Sequence, residues 1–282
     1  MPPSETTDAR SRQLDDELRI ARQIQLSLLP ACPVAPGYTF DAKYLPAREV
    51  SGDFYDFLYH ALPEGRLELV IGDVTGKGIP AALMMAHSRA VLRAEALHAG
   101  SPAELLVQTN RILTEDHLAR LFLSALYARL DIPSGRVTYA NAGHDHPLLI
   151  RGGSGEVHEL DAPGVILGAF RRIELENCLV QLAPTDTLVF YTDGVTEARN
   201  ASGALFGDER LVEAARRGAL AGEAATVSLI ILDALTAFTA GAPQADDLTL
   251  VVVQRRQHEG LAATAENPHG SDGRPGRPRD HA

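Results

Sequence analysis

Acidic residues stand against strand-like apolar runs at four places in this 282-residue chain. Leu67-Glu68-Leu69-Val70-Ile71-Gly72 runs directly into Asp73, and Thr187-Leu188-Val189-Phe190-Tyr191-Thr192 runs directly into Asp193. Two further segments do the reverse: Asp246 and Asp247 precede Leu248–Val253, and Asp53 precedes Phe54-Tyr55-Asp56-Phe57. In an antiparallel sheet the C-terminal end of one strand lies beside the start of its neighbour. Two acids after strands and two before strands can therefore meet at one edge. Crowded carboxylates repel each other and raise one another's pKa, and a divalent cation relieves that repulsion. Oxygen donors without cysteine or a clear histidine favour Mg²⁺ or Mn²⁺ over zinc. Each acid also has an ordinary explanation: Asp193-Gly194 is a common turn pair, and Asp246-Asp247 could guard a strand end. Their joint placement favours a shared site.

The run Gly72-Asp73-Val74-Thr75-Gly76-Lys77-Gly78 has a passing likeness to a Walker A loop. The spacing between Gly72 and Gly76 is too short, and Gly78 stands where Ser or Thr would hold Mg²⁺. The glycines instead let backbone come close to a metal-bound phosphate and turn into a helix at Pro80. Lys77 reads as a solvated loop side chain.

The elements that must position these acids follow from periodicity. Strand-like segments are Val50–Leu58, Leu67–Gly72, Phe122–Leu130, Val137–Ala142, Leu148–Arg151, Thr187–Thr192 and Leu248–Val253. Helix-like segments are Pro80–Leu97, Pro102–His117, Asp208–Arg217 and Glu223–Ala240, with Pro80 and Pro102 where a first helical turn tolerates them. Strands and helices do not alternate regularly, so the expected class is α+β, helices over mainly antiparallel sheet. Ahead of this core, Gln13–Leu29 reads as an amphipathic helix through Leu14, Leu18, Ala21, Ile24 and Leu28. It either packs on its own domain or forms a short coiled-coil seam between two copies.

Composition narrows the function. Lys and Arg total 26 against 37 Asp and Glu, a net charge of −11 with no basic stripe, which argues against binding a phosphate backbone. Cys32 and Cys178 form no CxxC pair, so neither a disulfide scaffold nor a thiolate zinc site is expected. The start Met1-Pro2-Pro3-Ser4-Glu5 lacks a signal-peptide pattern and no apolar run approaches a membrane span. The expected location is the cytoplasm. Residues 1–12 and 257–282 are too polar to pack and are expected to be disordered. The tail histidines His258, His269 and His281 are scattered and make no metal site.

Five motifs in order carry a family resemblance. Ser51-Gly52-Asp53-Phe54-Tyr55-Asp56, Gly72–Ala82, Asn141-Ala142-Gly143-His144, Tyr191–Glu197 and Asp246-Asp247-Leu248-Thr249-Leu250 together resemble the SpoIIE/RsbU branch of the PPM serine/threonine phosphatases. The resemblance extends from about Leu14 to Gln254. It implies a four-layer αββα sandwich of two mainly antiparallel sheets, with residues 31–256 as the phosphatase domain and 13–30 as a linker or regulatory helix. It implies a centre of two Mn²⁺ or Mg²⁺ ions. Asp73 would bridge both, the Val74 carbonyl would add a ligand, Asp193 and Asp246 would hold one ion, and Asp53 would serve the other. Asp247 would join this set, although the family position is often Asn. A metal-bridging hydroxide would hydrolyse phosphoserine or phosphothreonine, with Asp73 and Asp193 as the residues on which catalysis depends. The implied substrate is a STAS-type anti-sigma-factor antagonist, in sigma-factor regulation of a stress response. Thr75 stands where eukaryotic relatives carry a proton-donating histidine, which leaves the general acid unassigned. His144 reads as a turn-tying residue, and His146 occupies a frequent proline position. No sensor domain fits ahead of Leu14, which points to regulation by a partner or by dimerisation.

Two other functions stay open at this stage. A nucleotidyl cyclase also places aspartates after strands, although no base- and triphosphate-binding set is visible; nucleotide turnover separates it. A binding module that keeps the fold without competent metals would fail to hydrolyse a generic phosphate ester.

Overall fold

The structure, a computed structural model, describes residues 4–58, 65–115 and 121–257. Along the chain the elements are α1 (Ser4–Leu28), β1 (Tyr38–Leu45), β2 (Phe54–Phe57), β3 (Arg66–Val74), α2 (Ile79–Glu95) and α3 (Pro102–Glu115). There follow β4 (Leu123–Asp131), β5 (Arg136–Ala142), β6 (Leu148–Ile150), β7 (Val157–Glu159), β8 (Cys178–Gln181) and β9 (Thr187–Tyr191). The chain then forms α4 (Asp193–Thr196), α5 (Gly207–Ala221), α6 (Ala224–Thr239) and β10 (Leu248–Arg255). Two five-stranded antiparallel sheets result, ordered β1-β10-β9-β6-β7 and β2-β3-β4-β5-β8. α5 and α6 cover the first sheet, and α2 and α3 cover the second. This is the αββα sandwich expected from the motifs.

Strand alternation builds the layers. Successive side chains of a strand point to opposite faces. Leu69 and Ile71 of β3, Tyr55 and Phe57 of β2, Leu188 and Phe190 of β9, and Val251 and Val253 of β10 all enter the core between the sheets. Their neighbours Phe54 and Val70 pack under α2 and α3, and Val189, Leu250 and Val252 pack under α5 and α6. Buried on both faces, these strands read as continuous apolar runs, which is why the sequence finds them.

Several elements differ from expectation. β1, β7 and β8 are not anticipated, because their residues are mostly half-buried or exposed and form no apolar run. α1 begins at Ser4 rather than Gln13, so much of the stretch expected to be disordered is helical. Asp193-Gly194 opens a helical turn, α4, not a hairpin. Asp73 lies inside β3, one residue before its end, rather than beyond it. The anticipated helix end at 116–117 and the tail from 258 onward lie outside the described residues. No described helix is long and apolar enough to cross a membrane.

Candidate metal centre

Pairing within each sheet brings the acids together two by two. Phe54 registers with Gly72, which sets Asp53 beside Asp73. Tyr191 registers with Leu250, which sets the start of α4 beside the start of β10 and so Asp193 near Asp246. The sandwich then joins the pairs. Asp53 and Asp73 continue the inward-facing side of β2 and β3, while Thr192 and Thr249 continue that of β9 and β10. At this end of the core, polar side chains replace apolar ones. Asp53 Oδ2 accepts hydrogen bonds from Thr192 Oγ1 at 2.7 Å and Thr249 Oγ1 at 2.8 Å, both from the opposite sheet. The Thr249 amide in turn donates to Thr192 Oγ1 at 3.0 Å.

The electrostatics follow from this crowding. Burial raises the pKa of Asp53, against the pull of the two threonine hydroxyls. Asp73 is raised by burial and then by Asp53, Asp193 and Asp246. Asp193 is raised by burial, Asp246 and Glu197, and is lowered by Lys77. Lys77 is an exposed loop side chain, as expected, but it also has partners that the sequence did not show: its Nζ donates to Asp246 Oδ2 at 2.8 Å and to the Ala245 carbonyl at 2.9 Å. One long stem reaching back across the acid edge was invisible in the sequence, since its partners lie far away along the chain.

Asp247 occupies a different position from its neighbour. Its carboxylate oxygens accept the Ala47 amide at 2.8 Å and the Gly52 amide at 3.2 Å, which pins the loop that delivers Asp53. Gly52 itself is needed for close approach: a Cβ there would stand 2.8 Å from the Val74 carbonyl oxygen and 3.4 Å from Asp73 Oδ1. Gly194 is similarly required, since its Cβ would overlap the Asp247 carbonyl at 1.8 Å. The other side of the Asp53 loop is held by α1. Gln25, buried, donates its Nε2 to the Ser51 carbonyl at 2.8 Å and accepts the Ser51 amide at 2.9 Å.

His144 ties its turn, as expected. Asn141 accepts the His144 amide at 2.7 Å and donates to its carbonyl at 2.8 Å, and Ser124 Oγ lies 2.9 Å from Nδ1. Burial pushes its pKa down to about 4, so the ring is neutral at physiological pH. Sequence reasoning passed over Thr192, Thr249, Gln25 and Asp145. Asp145 is pushed up to about 6 by burial and then by Asp193 and Asp208, so it borders the acid cluster. Thr192 and Thr249 could have been found from strand parity, because each continues an inward-facing row.

Among the described residues, no group of three or more His, Cys, Asp or Glu side chains stands close enough together to hold a metal ion as placed. The donor set nevertheless suits a hard divalent ion. It consists of carboxylates, with the Val74 carbonyl beside them in space kept open by Gly52. Burial and mutual repulsion raise the pKa values of its acids.

Two antiparallel sheets between helix pairs, with an aspartate cluster at one end, define a PP2C-type phosphatase fold. Residues 63–256 match the family described as Stage II sporulation protein E (SpoIIE), and the chain belongs to that family. It is 32% identical over 267 residues to Protein IcfG of Synechocystis sp., covering 85% of this chain and 41% of that protein. It is 29% identical over 195 residues to phosphoserine phosphatase RsbU of Bacillus subtilis, covering 69% of this chain and 57% of that one. The chain thus spans about half the length of the curated relatives it matches. Among solved structures, the SiaA-PP2C domain of Pseudomonas aeruginosa superposes with a TM-score of 0.76 at 24% identity, over 87% of this chain and 98% of that one. The RsbU and RsbW domains of Rv1364c from Mycobacterium tuberculosis give 0.67 at 30%, over 79% and 61%.

Proposed function

We propose that this chain is a metal-dependent protein serine/threonine phosphatase. The observation that carries the reading is the meeting of Asp53, Asp73, Asp193 and Asp246, from four separate segments, in a partly buried cluster with a single lysine. Family membership and the similarity to a phosphoserine phosphatase of Bacillus subtilis support it. In this reading Asp73, Asp193, Asp246 and the Val74 carbonyl would hold two Mn²⁺ or Mg²⁺ ions, and Asp53 would serve one of them. Such ions neutralise phosphate charge and lower the pKa of bound water.

The chain's own residues prepare the site. Asp53 and Asp73 would have to be ionised to act as ligands, which burial opposes and a divalent ion would favour. Thr192 and Thr249 hold Asp53 Oδ2 and keep its carboxylate turned inward. We assign Asp247 to orienting the Asp53 loop through the Ala47 and Gly52 amides rather than to the first rank of ligands. Residues 31–256 form the catalytic unit and 13–30 a regulatory helix. The substrate class is a phosphorylated protein in the cytoplasm, of the STAS-type anti-sigma-factor antagonist kind. A second copy pairs through the exposed Leu14, Ile20 and Ile24 of α1, which light scattering tests directly. A manganese titration of phosphoserine-peptide hydrolysis, with an EDTA control, tests the function. Activity that rises with Mn²⁺ and vanishes in EDTA is expected, and metal-independent or absent hydrolysis would overturn the reading.

A further inference from the structure

Lys77 is a cation in contact with an acid cluster that the reading above loads with divalent ions, and like charges at such short range repel. Its ammonium meets Asp246 Oδ2 at 2.8 Å and the Ala245 carbonyl at 2.9 Å, and it also lowers the pKa of Asp193. The loop beneath it is anchored: the Thr75 amide donates to the Phe122 carbonyl at 2.9 Å, and the Phe122 amide to Thr75 Oγ1 at 2.9 Å. Positive φ angles at Gly76 (94°) and Gly78 (76°) complete the turn on either side of the lysine. The base of Lys77 is therefore fixed while its stem is not. Its side chain is 41% exposed and that of Asp246 35%, and an ion pair so open to water is weak. Lysine suits a contact that must break: it is a compact charge on a flexible stem, without the two-pronged grip of arginine.

We propose that Lys77 is a displaceable counter-cation of the site. It neutralises Asp246 in the metal-free protein and is released when a divalent ion takes that carboxylate. The freed ammonium then binds the phosphate dianion that the substrate brings to the same edge. This rests on the metal-phosphatase reading, and it gives that reading a phosphate-binding side chain that the aspartates cannot supply. No bond is made or broken in the exchange; one ion pair replaces another.

The test uses the full chain without substrate first. Calorimetric titration with Mn²⁺ is expected to show about fivefold tighter binding to Lys77→Met than to wild type, the scale of a strong exposed ion pair. Lys77→Arg, which keeps the charge and grips a carboxylate at least as firmly, should bind Mn²⁺ no more tightly than wild type. At saturating Mn²⁺, Lys77→Met should weaken competitive inhibition by inorganic phosphate, and raise KM for a phosphoserine peptide, by about the same factor. Equal or weaker Mn²⁺ binding by Lys77→Met overturns the proposal. So does tighter Mn²⁺ binding with unchanged phosphate inhibition, or Lys77→Arg behaving as Lys77→Met. A wild-type protein that neither binds Mn²⁺ nor hydrolyses the peptide overturns the phosphatase reading itself, a pattern distinct from these.

Discussion

Asp53 and Asp56 bracket the start of β2, and Glu68 and Asp73 both lie on β3, yet the two sets of acids meet opposite surroundings. Asp56 is fully buried and receives Arg93 at 2.8 and 2.9 Å and Arg89 at 2.9 Å, both from α2. Glu68, also fully buried, is bound by Arg129 at 2.6 Å, by Arg66 at 3.0 Å and by the Tyr127 hydroxyl. Asp53, just ahead of β2, and Asp73, on β3, have no arginine partner among the described residues; Asp53 accepts two threonine hydroxyls, and Asp73 faces Asp53, Asp193 and Asp246. Strand parity separates the sets: Asp56 and Glu68 belong to the face under α2 and α3, Asp53 and Asp73 to the face between the sheets. A buried carboxylate that the protein compensates itself is architecture. A buried carboxylate left without a cation is a candidate ligand for a cation from outside the chain.

The contrast can be broken most forcefully at Asp73. Asp73→Asn should lower phosphoserine-peptide turnover by about a thousandfold, the equivalent of several kcal/mol of lost metal-assisted stabilisation. Its thermal unfolding temperature should not fall, because burial and the neighbouring acids already disfavour a charge at this position, and a neutral amide of the same shape suits it. Comparable turnover by the purified variant would mean that the cluster is not the reaction centre. The mirror experiment is Asp56→Ala, which strands two arginines against the core. Denaturant unfolding should show a loss of about 3–5 kcal/mol, and a stable variant would erase the distinction between the two sets.

Gln25→Ala probes how the Asp53 loop is held from outside. It leaves the buried Ser51 amide and carbonyl without partners, which should cost roughly 1–3 kcal/mol in the same unfolding assay. The smallest effect is a pH slope. Asp53 and Asp73 have raised pKa values when folded, so the folded state holds protons that the unfolded chain gives up. Stability in EDTA should therefore fall as pH rises above the ordinary carboxylate range, by at most about 1.4 kcal/mol per pH unit for each proton retained. His144 acts in the opposite sense: its folded pKa of about 4 lies below the ordinary 6.5, so it adds stability as pH rises between those values and nothing further above. Urea unfolding between pH 6.5 and 8 leaves out most of the His144 contribution, and Asp73→Asn should flatten the slope. A rising slope in wild type would contradict the raised pKa values of the two acids.

Much of this was legible in the chain. Asp73, Asp193 and Asp246 were marked by the apolar runs they adjoin, because strands buried on both faces leave an unmistakable stretch of Val, Leu, Ile and Phe ending at an acid. The glycines at 52 and 194 travelled with those motifs. The class of fold followed from the irregular order of strands and helices.

What the chain did not reveal has a common cause. The tie from Asp53 to Thr192 and Thr249 spans 139 and 196 residues, and the Lys77–Asp246 contact spans 169. Alternation along a strand is local, so the sequence determined which side of each strand an acid occupies. Which sheet faces that side is set by the packing of two sheets against each other, and only the tertiary structure decided that Asp53 and Asp73 would meet threonines while Asp56 and Glu68 met arginines.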